Sequence, residues 1–421
     1  MPTLRRTVLA LAVAFGFALP GSAQNNWNQW RGPTRDGYVP PALVPARWPE
    51  SLELLWRQEV GNGHSSPVIE GGVAFVHTRR GEEEFVSARE MSSGDLRWER
   101  AIPTRIGINP YADGHGRWPR STPLVHDGRL VTLGANATVS VWDAADGALH
   151  WRHEQDDGVD TSQLFCGTSV SPMLDDGRLV VHLGDDAGGE VIAFAWEDGE
   201  VLWRTPLEGP GYASPILAEF DGDSQLVTLT MSRVVALGRR DGALRWSHPF
   251  KDQWNENIVT PIVSHGRVLI AGVRRGTHAL APTRSDDGWR AEVAWSAPHA
   301  ELYMSSPVLH EGVLYGFSKR RRGQLVAVDV TDGEIIWTHD HAMENASLLR
   351  FGPDLVVLGS NGQMTVGPAT ESGWVESRRY ELSENATWAS LAPFAGGVLV
   401  KDATSLTCWA YEAAPDRSEG D

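Results

Sequence analysis

The chain has 421 residues, of which 41% are hydrophobic and 22% are charged. This composition is typical of a globular protein and excludes a disordered or membrane-embedded chain. The formal net charge is −17, so the surface would repel phosphate backbones and anionic lipid headgroups, and we expect no nucleic acid and no membrane surface among the partners. The 44 glycines and 18 tryptophans indicate many tight turns and large flat side chains packed at recurring places.

The first 23 residues have the pattern of an export signal. Arg5 and Arg6 precede an apolar run over residues 7–19, and small residues at 21–23 offer a cleavage site. The run is short for a membrane span, and no later segment of the sequence offers one. We predict a signal peptide over residues 1–23, with ordinary secretion and twin-arginine export both open, and a soluble protein that is periplasmic or secreted.

A repeat occupies the chain from residue 52 to residue 412. Glycine is followed four residues later by tryptophan in five segments, of which DGALHW (146–151) and DGALRW (241–246) are nearly identical. The same slot recurs near the N-terminus, in a looser copy and once with tyrosine, at intervals of 42 to 53 residues. A period of this length predicts a repeat architecture. The eight slot residues are Trp56, Trp98, Trp151, Trp203, Trp246, Trp295, Trp337 and Tyr380.

A second marker accompanies the slots. Serine or threonine followed by proline begins six of the units, and Ser347 and Ser390 hold the equivalent places without the proline. Each marker starts a short apolar run, a glycine-containing turn and a second run, as in SPVIEGGVAFVHT (66–78), which is the pattern of a β-hairpin. A third run and the tryptophan segment follow, so each unit has four predicted strands.

Eight units of four strands predict an all-β fold, an eight-bladed β-propeller of four-stranded antiparallel blades. A linear solenoid is the structural alternative, but it needs polar caps at both ends. The last unit lacks a terminal tryptophan strand, whereas the N-terminus has an isolated one around Trp56. We predict that this N-terminal strand completes the last blade and closes the ring, which removes the free sheet edges.

The repeated tryptophans are predicted to be structural rather than catalytic. The glycine permits the positive φ of a tight turn, and the ring four residues later can cover the next blade or a strap. Burying such a ring contributes about 2–3 kcal/mol, so eight similar contacts could hold the ring of blades together.

The segments VSVWDAADGALHW (139–151) and LVAVDVTDGEIIW (325–337) resemble the PQQ-like β-propeller repeat, and the resemblance covers about residues 52–412. The resemblance implies that the chain belongs to one of two groups of PQQ-like propeller proteins. Quinoprotein dehydrogenases hold pyrroloquinoline quinone (PQQ) and calcium on the propeller axis. Cofactor-free propellers include the propeller lipoprotein of the outer-membrane barrel assembly machine and uncharacterised exported relatives. NQWRGPTRDGY (28–38) is similar to the leader of those relatives, which implies an N-terminal strap over residues 24–51; residues 413–421 remain as a polar tail.

The chain departs from the dehydrogenase pattern that the resemblance implies. Those enzymes carry a disulfide between adjacent cysteines, whereas this chain has only Cys166 and Cys408, and it is shorter than such enzymes. We therefore expect no cofactor, with PQQ and calcium as the alternative. The histidines and cysteines lack the spacing of a metal site, so no metal and no catalytic residue is predicted.

Loops that precede the inner strands of a propeller converge on one axial face. In this sequence they are rich in aromatic, histidine, arginine and asparagine side chains, which predicts a funnel able to stack a flat or sugar-like ligand. The alternative is that hydroxyls cap the strand ends and aromatic rings plug the channel. The predicted funnel residues are His64, Arg120, Tyr212, Trp254, Asn257, Tyr303 and Trp388.

These features predict a monomeric, non-catalytic binding or scaffolding module that offers its axial loop face to a protein partner or a small ligand. A PQQ- and calcium-dependent periplasmic dehydrogenase and a polysaccharide-binding propeller are the alternatives. The stretch SKRRRG (318–323) adds four cations at a hairpin tip of this acidic chain. Either an anionic partner or plain solvation would account for them.

Overall fold

The computed structural model describes residues 26–104, 106–107, 110–154, 160 and 164–411. The predicted signal peptide and the predicted polar tail lie outside these residues. The described strands form eight sheets, and every blade contains four antiparallel strands. The N-terminal strands add to the sheets of the last two blades. The predicted eight-bladed all-β propeller is confirmed.

Two strands precede the first complete repeat, β1 (Tyr38–Val39) and β2 (Glu53–Glu59). Blades 1 to 4 are built from β3 (Val68–Glu70), β4 (Val73–Arg80), β5 (Glu83–Glu90), β6 (Leu96–Pro103), β7 (Leu124–His126), β8 (Arg129–Leu133), β9 (Val139–Asp143), β10 (Leu149–His153), β11 (Met173–Asp175), β12 (Arg178–Asp185), β13 (Gly188–Ala195), β14 (Val201–Leu207), β15 (Ile216–Phe220), β16 (Asp223–Leu229), β17 (Arg233–Gly238) and β18 (Leu244–Pro249).

Blades 5 to 7 continue in the same order, and blade 7 has a divided outer strand. They are built from β19 (Ile262–Ser264), β20 (Arg267–Gly272), β21 (Gly276–Ser285), β22 (Gly288–Ala297), β23 (Val308–His310), β24 (Val313–Ser318), β25 (Gln324–Asp329), β26 (Ile335–Asp340), β27 (Ala346–Phe351), β28 (Asp354–Gly359), β29 (Gln363–Thr370), β30 (Gly373–Trp374) and β31 (Arg378–Glu381). Short 3-10 turns lie at Pro41–Leu43, Pro110–His115 and Arg320–Arg322.

The ring is closed by pairing the two ends of the chain. Blade 8 consists of β32 (Ala392–Phe394), β33 (Gly397–Lys401), β34 (Ser405–Ala410) and, as its outer strand, β2. β2 runs antiparallel to β34, with Trp56 opposite Cys408 and Glu59 opposite Ser405. This confirms the predicted closure by the N-terminal strand.

The antiparallel order decides which turns share a face. The chain enters every inner strand from one axial face, which we call the loop face. The turn between the first and second strands therefore lies on the opposite face, and the turn between the second and third strands returns to the loop face. The Asp-Gly turns before the tryptophan strands lie on the opposite face, away from the loops that enter the blades.

Apolar side chains pack mainly between neighbouring blades. One cluster joins Val139 and Val141 of blade 2 to Leu179 and Phe194 of blade 3, and equivalent clusters join blades 4 and 5 and blades 6 and 7. The middle strands are almost continuously buried because both of their faces meet another blade. Burial on both faces explains why their sequences are apolar runs rather than alternating patterns.

The eight slot residues occupy equivalent places on the outer strands. Each pairs with a residue near the middle of the third strand, and a register shift beside most of them marks a β-bulge. The partners of the slots, in chain order from Trp56 to Tyr380, are Cys408, Ala88, Val141, Ala193, Ala236, Ala279, Ala327 and Met364.

The ring of Trp98 shows what the repeated glycine does. It lies against Gly147 of the next blade, where an added Cβ would be 2.6 Å from Cε3 of the indole. Gly147 has a φ of 74°, and the Trp98 indole N–H donates to the Ala144 carbonyl at 3.0 Å. The glycine therefore has two functions, since it makes the turn and leaves room for the ring of the preceding blade.

The same contact joins several pairs of blades, but blade 5 is an exception. Its outer hairpin is longer, and its turn glycine, Gly288, has no side chain or backbone atom within 4 Å of an added Cβ. Trp246 of blade 4 belongs instead to an apolar cluster against which Trp289 and Ala291 of β22 pack. The other slot rings that lie against a glycine of the following blade are Trp56 on Gly94, Trp151 on Gly199, Trp203 on Gly242 and Trp295 on Gly333.

The Ser/Thr-Pro markers form a belt of hydrogen bonds around the channel. The hydroxyl of one marker accepts the backbone N–H of the marker in the preceding blade, as in Ser171 N–H to the Ser214 hydroxyl at 3.0 Å. The pattern satisfies buried backbone donors where the inner strands begin. The other bonds of this kind run from Thr122 to Ser171, from Ser214 to Thr260, from Thr260 to Ser306 and from Ser390 to Ser66.

The segment over residues 26–39, the leader, crosses the channel. Trp27 pairs with Ile69 of blade 1, and β1 runs parallel to β27 of blade 7. Between them, Arg31 donates to the carbonyls of Ser306 and Pro307, and both arginines of the leader are buried. The leader thus connects inner strands on different sides of the ring.

Arg35 is the second buried arginine of the leader. Its guanidinium donates to the carbonyls of Pro215 at 3.0 Å, Pro172 at 2.9 Å and Ser171 at 3.3 Å, and to the Gln29 side chain at 3.0 Å. Burial lowers its pKa to about 9, which still leaves it charged near neutral pH. The planar five-donor group can reach blades 3 and 4 together, which a lysine could not do.

Candidate functional site

A cavity of about 530 Å³ lies between the leader and the loops of the loop face. Its volume is within the range of about 300–1,000 Å³ that small-molecule sites occupy. Trp30 and Arg31 of the leader line it, and the marker hydroxyls of Ser66, Ser171 and Ser214 belong to its wall. The leader and the loops of the loop face therefore enclose this cavity together.

Aromatic rings form much of the wall. His64 lies between two tryptophans, with ring centroids 5.1 Å from Trp118 and 6.0 Å from Trp388. Trp388 remains 38% exposed, and on the other side the His115 and Phe165 rings are 5.3 Å apart. Burial and the nearby Arg120, Lys401 and His115 lower the pKa of His64 to about 3, so this imidazole is neutral at physiological pH.

One carboxyl, that of Glu256, reaches the cavity wall. Its pKa is raised to about 7, mainly by burial and also by nearby Asp252, while the hydrogen bond from the Tyr303 hydroxyl at 3.3 Å opposes the shift. Asp252 is itself fixed by backbone N–H groups of Trp254, Glu256 and Asn257. A carboxyl that titrates near neutral pH in an aromatic cavity can accept or donate a hydrogen bond as pH changes.

We predict that Glu256→Gln stabilises the protein at pH 8 and has little effect at pH 5. The folded-state pKa lies above that of the unfolded chain, so stability due to this carboxyl is complete below about pH 4.5 and is lost as pH rises through about 7. The expected gain at pH 8 is about 1–3 kcal/mol. Urea unfolding at both pH values measures it, and equal effects at pH 5 and pH 8 would contradict the prediction.

The cations beside the cavity are occupied by backbone carbonyls. Arg120 donates to the carbonyls of Trp118, Cys166, His115 and Gly116 at 2.7–3.2 Å. Lys401, which is almost fully buried, donates to the carbonyls of Gly63, Asp402 and Ala403. These groups hold the loops in place rather than offering a charge to a ligand.

The structure brings four of the seven predicted funnel residues to the cavity wall, namely His64, Arg120, Tyr212 and Trp388. The other three lie outside it. Asn257 is fully buried and its amide donates to the carbonyls of Thr230 and Phe250. Tyr303 is buried behind Glu256, and Trp254 is 49% exposed beside it, with ring centroids 5.5 Å apart.

Sequence reasoning missed several residues of the wall. Trp118 lies two residues before the predicted Arg120, in the loop GRWPRS (116–121), and Glu256 is the neighbour of the predicted Asn257. Position along a loop does not show which side chain turns inward. Trp30 and Arg31 come from the leader, more than 25 residues before the first complete blade, so no loop pattern could have included them.

Comparison with known proteins places this architecture in a family. A family model described as Outer membrane protein assembly factor BamB matches residues 112–339, which is more than half of the chain. The chain belongs to this family. The BamB proteins of Yersinia pestis and Moranella endobia (strain PCIT) are 24% and 23% identical over 279 and 226 residues. These alignments cover 63% and 52% of this chain, and 64% and 50% of the relatives' own length.

Solved structures show the same fold. BamB from Moraxella catarrhalis has a TM-score of 0.59 at 16% identity, covering 85% of this chain and 99% of that one. Quinohemoprotein alcohol dehydrogenase from Comamonas testosteroni has a TM-score of 0.67 at 12% identity, covering 95% and 82%. At such identities the likeness concerns the fold alone. In the described ranges, no helix has the length and apolar character needed to cross a membrane.

The residues of the cavity do not fit PQQ and calcium. Calcium takes six to eight oxygen ligands, usually with several carboxylates. Among the described residues that line the cavity, Glu256 is the only carboxylate, and burial favours its neutral form. PQQ carries three carboxylates, whereas Arg31 and Arg120 already donate to carbonyls. The donor set thus favours neither the metal nor the quinone.

Proposed function

We propose that this chain is an exported, monomeric, non-catalytic propeller that binds a partner protein on its loop face, as an assembly factor related to BamB. Membership of the BamB family supports the scaffold role, and the name of that family supports a partner in outer-membrane protein assembly. In this proposal residues 1–23 direct export and are removed, and the propeller over residues 52–412 acts in the periplasm with its N-terminal strap and polar tail.

The observation that carries the proposal is a pair of exposed tryptophans on the loop face, Trp254 and Trp388, which we call the aromatic mouth. Trp388 and Trp254 are the two exposed tryptophans of the described chain, and both belong to loops that enter inner strands. Exposed tryptophans are typical anchors of protein interfaces. The leader bonds to the inner strands of blades 3 and 6 through Arg35 and Arg31, and the Trp30 indole N–H donates to the hydroxyl of Thr260, the marker that follows Trp254, at 3.4 Å. Such pre-ordering of the loop face lowers the entropy lost on binding.

A photo-crosslinking residue in place of Trp388 tests the proposal. In cells that produce the full chain, we expect one discrete covalent adduct, identified by mass spectrometry as a component of the outer-membrane assembly machinery. The matched control is Asp287, which is exposed at the tip of the β21–β22 hairpin on the opposite face. Adducts of equal yield from both positions, or none from Trp388 in folded exported protein, would refute the proposed binding face.

A further inference from the structure

Two basic turns lie side by side on the loop face, in blades 5 and 6. Each joins the second strand of its blade to the third, and therefore returns to the loop face. The six residues, which we call the basic patch, are Arg274, Arg275, Lys319, Arg320, Arg321 and Arg322. All six are exposed, on a chain whose net charge is −17.

One loop connects the two turns into a single surface. The Arg274 backbone N–H donates to the Glu301 carboxylate at 3.2 Å, and the Arg320 guanidinium donates to the His299 carbonyl at 3.2 Å. His299 and Glu301 belong to the segment between β22 and β23, which passes between the blades. Because this short segment contacts both turns, the two turns form one continuous basic surface.

The surrounding acids neutralise the basic patch only in part. Asp340 contacts Arg321 at 3.4 Å, and both side chains are more than half exposed, so the pair is weak. Glu301 accepts from a backbone amide, and Glu344 is exposed in the next loop. Asp252, which accepts the Trp254 backbone N–H, is a fourth carboxylate of this surface. The six exposed cations still outnumber the four carboxylates, so the surface carries a net positive charge that an anionic partner would complement.

Backbone geometry in both turns is unusual. Arg274, Arg321 and Arg322 have φ values of 57°, 52° and 68°, in the left-handed region where glycine or asparagine is cheaper than a long side chain. Glycine stands next to each turn, at Gly276 and Gly323, yet arginine occupies the strained positions. The two turns are therefore tight, and they hold their arginine side chains exposed on the loop face.

Aromatic residues adjoin the basic patch. The Lys319 ammonium lies 5.6 Å from the centre of the Tyr303 ring, and Tyr303 packs against the half-exposed Trp254. The surface therefore joins cations to an exposed indole, and arginine with tryptophan is the composition of binding hot spots. An acidic segment that also carries apolar side chains complements this surface better than a purely charged polymer.

We propose that the basic patch and Trp254 bind an acidic, partly apolar segment of the partner protein. This inference rests on the proposed function and gives the partner its chemistry. Opposite charges steer the encounter and fix the orientation, while the Trp254 ring supplies the apolar contact. Because the rest of the chain is acidic, the partner's acidic segment is repelled elsewhere and directed to blades 5 and 6.

Fluorescence anisotropy with a labelled peptide of alternating glutamate and leucine tests the proposal on the full chain. We expect binding that weakens as salt rises, and no binding of the matching lysine–leucine peptide. Arg274→Glu/Arg322→Glu should weaken binding at least tenfold. The control Arg284→Glu/Arg290→Glu makes the same charge change on exposed residues near the opposite face of blade 5 and should change affinity less than twofold.

Three results would overturn the proposal: no binding of the acidic peptide at low salt, equal losses in both double variants, or binding of anionic phosphatidylglycerol vesicles without the peptide. A Trp254→Phe variant should retain binding that Trp254→Ala loses. Failure here is distinguishable from failure of the proposed function, because the adduct from position 388 would persist if a partner binds the loop face by other contacts.

Discussion

A Trp98→Ala variant is expected to lose about 3–5 kcal/mol of its free energy of unfolding. Trp98 is 6% exposed, packs on Phe75 of its own blade and covers Gly147 of the next one. Its removal leaves a cavity between blades 1 and 2 and an unpaired Ala144 carbonyl. Denaturant unfolding followed by tryptophan fluorescence and by far-ultraviolet circular dichroism measures the loss.

Two variants show whether this loss arises from the contact between the blades. Leu96 lies on the same strand and is 51% exposed. The Leu96→Ala variant should therefore lose less than about 1 kcal/mol of its free energy of unfolding. Gly147→Ala adds a Cβ 2.6 Å from the Trp98 ring at a positive φ, so it should cost about 1–3 kcal/mol without removing any apolar group. A Trp98→Ala cost no larger than that of Leu96→Ala would contradict the structural role.

Arg35→Met is expected to release the leader from the channel, with a loss of about 2–4 kcal/mol in its docking. Methionine fills part of the volume but cannot donate, so the carbonyls of Ser171, Pro172 and Pro215 lose their shared partner in a dry environment. The blades should remain assembled because β2 closes the ring through β34 independently of Arg35.

Hydrogen exchange distinguishes local release from global unfolding. In Arg35→Met, the amides of residues 27–39 should exchange faster, whereas those of β12 and β20 should keep their protection. Arg290→Met, at a side chain 67% exposed, is the matched control and should leave both sets unchanged. Unaltered exchange of the leader in Arg35→Met would show that the guanidinium does not hold it.

The candidate site divides into parts that sequence could and could not predict. Loops before the inner strands were identifiable because six precede a Ser/Thr-Pro marker and two precede an equivalent serine, and they do converge on one face. Within a loop, the direction of each side chain depends on local hydrogen bonds. Asn257 turned inward to the Thr230 and Phe250 carbonyls, and Trp254 turned outward, although both stand in one short loop.

The number of blades, their four strands and the closure of the ring could be predicted from the sequence. These follow from repetition, because the aromatic slot recurs eight times and five of its copies keep the glycine four residues earlier, as DGALHW and DGALRW show. Two features could be seen only in the tertiary structure: the leader that crosses the channel, and the two basic turns that form one surface. Arg35 meets carbonyls more than 130 residues away, and the turns at Arg274 and Arg320 become neighbours only because adjacent blades stand side by side. Such contacts have no period in the sequence, since each of them occurs once.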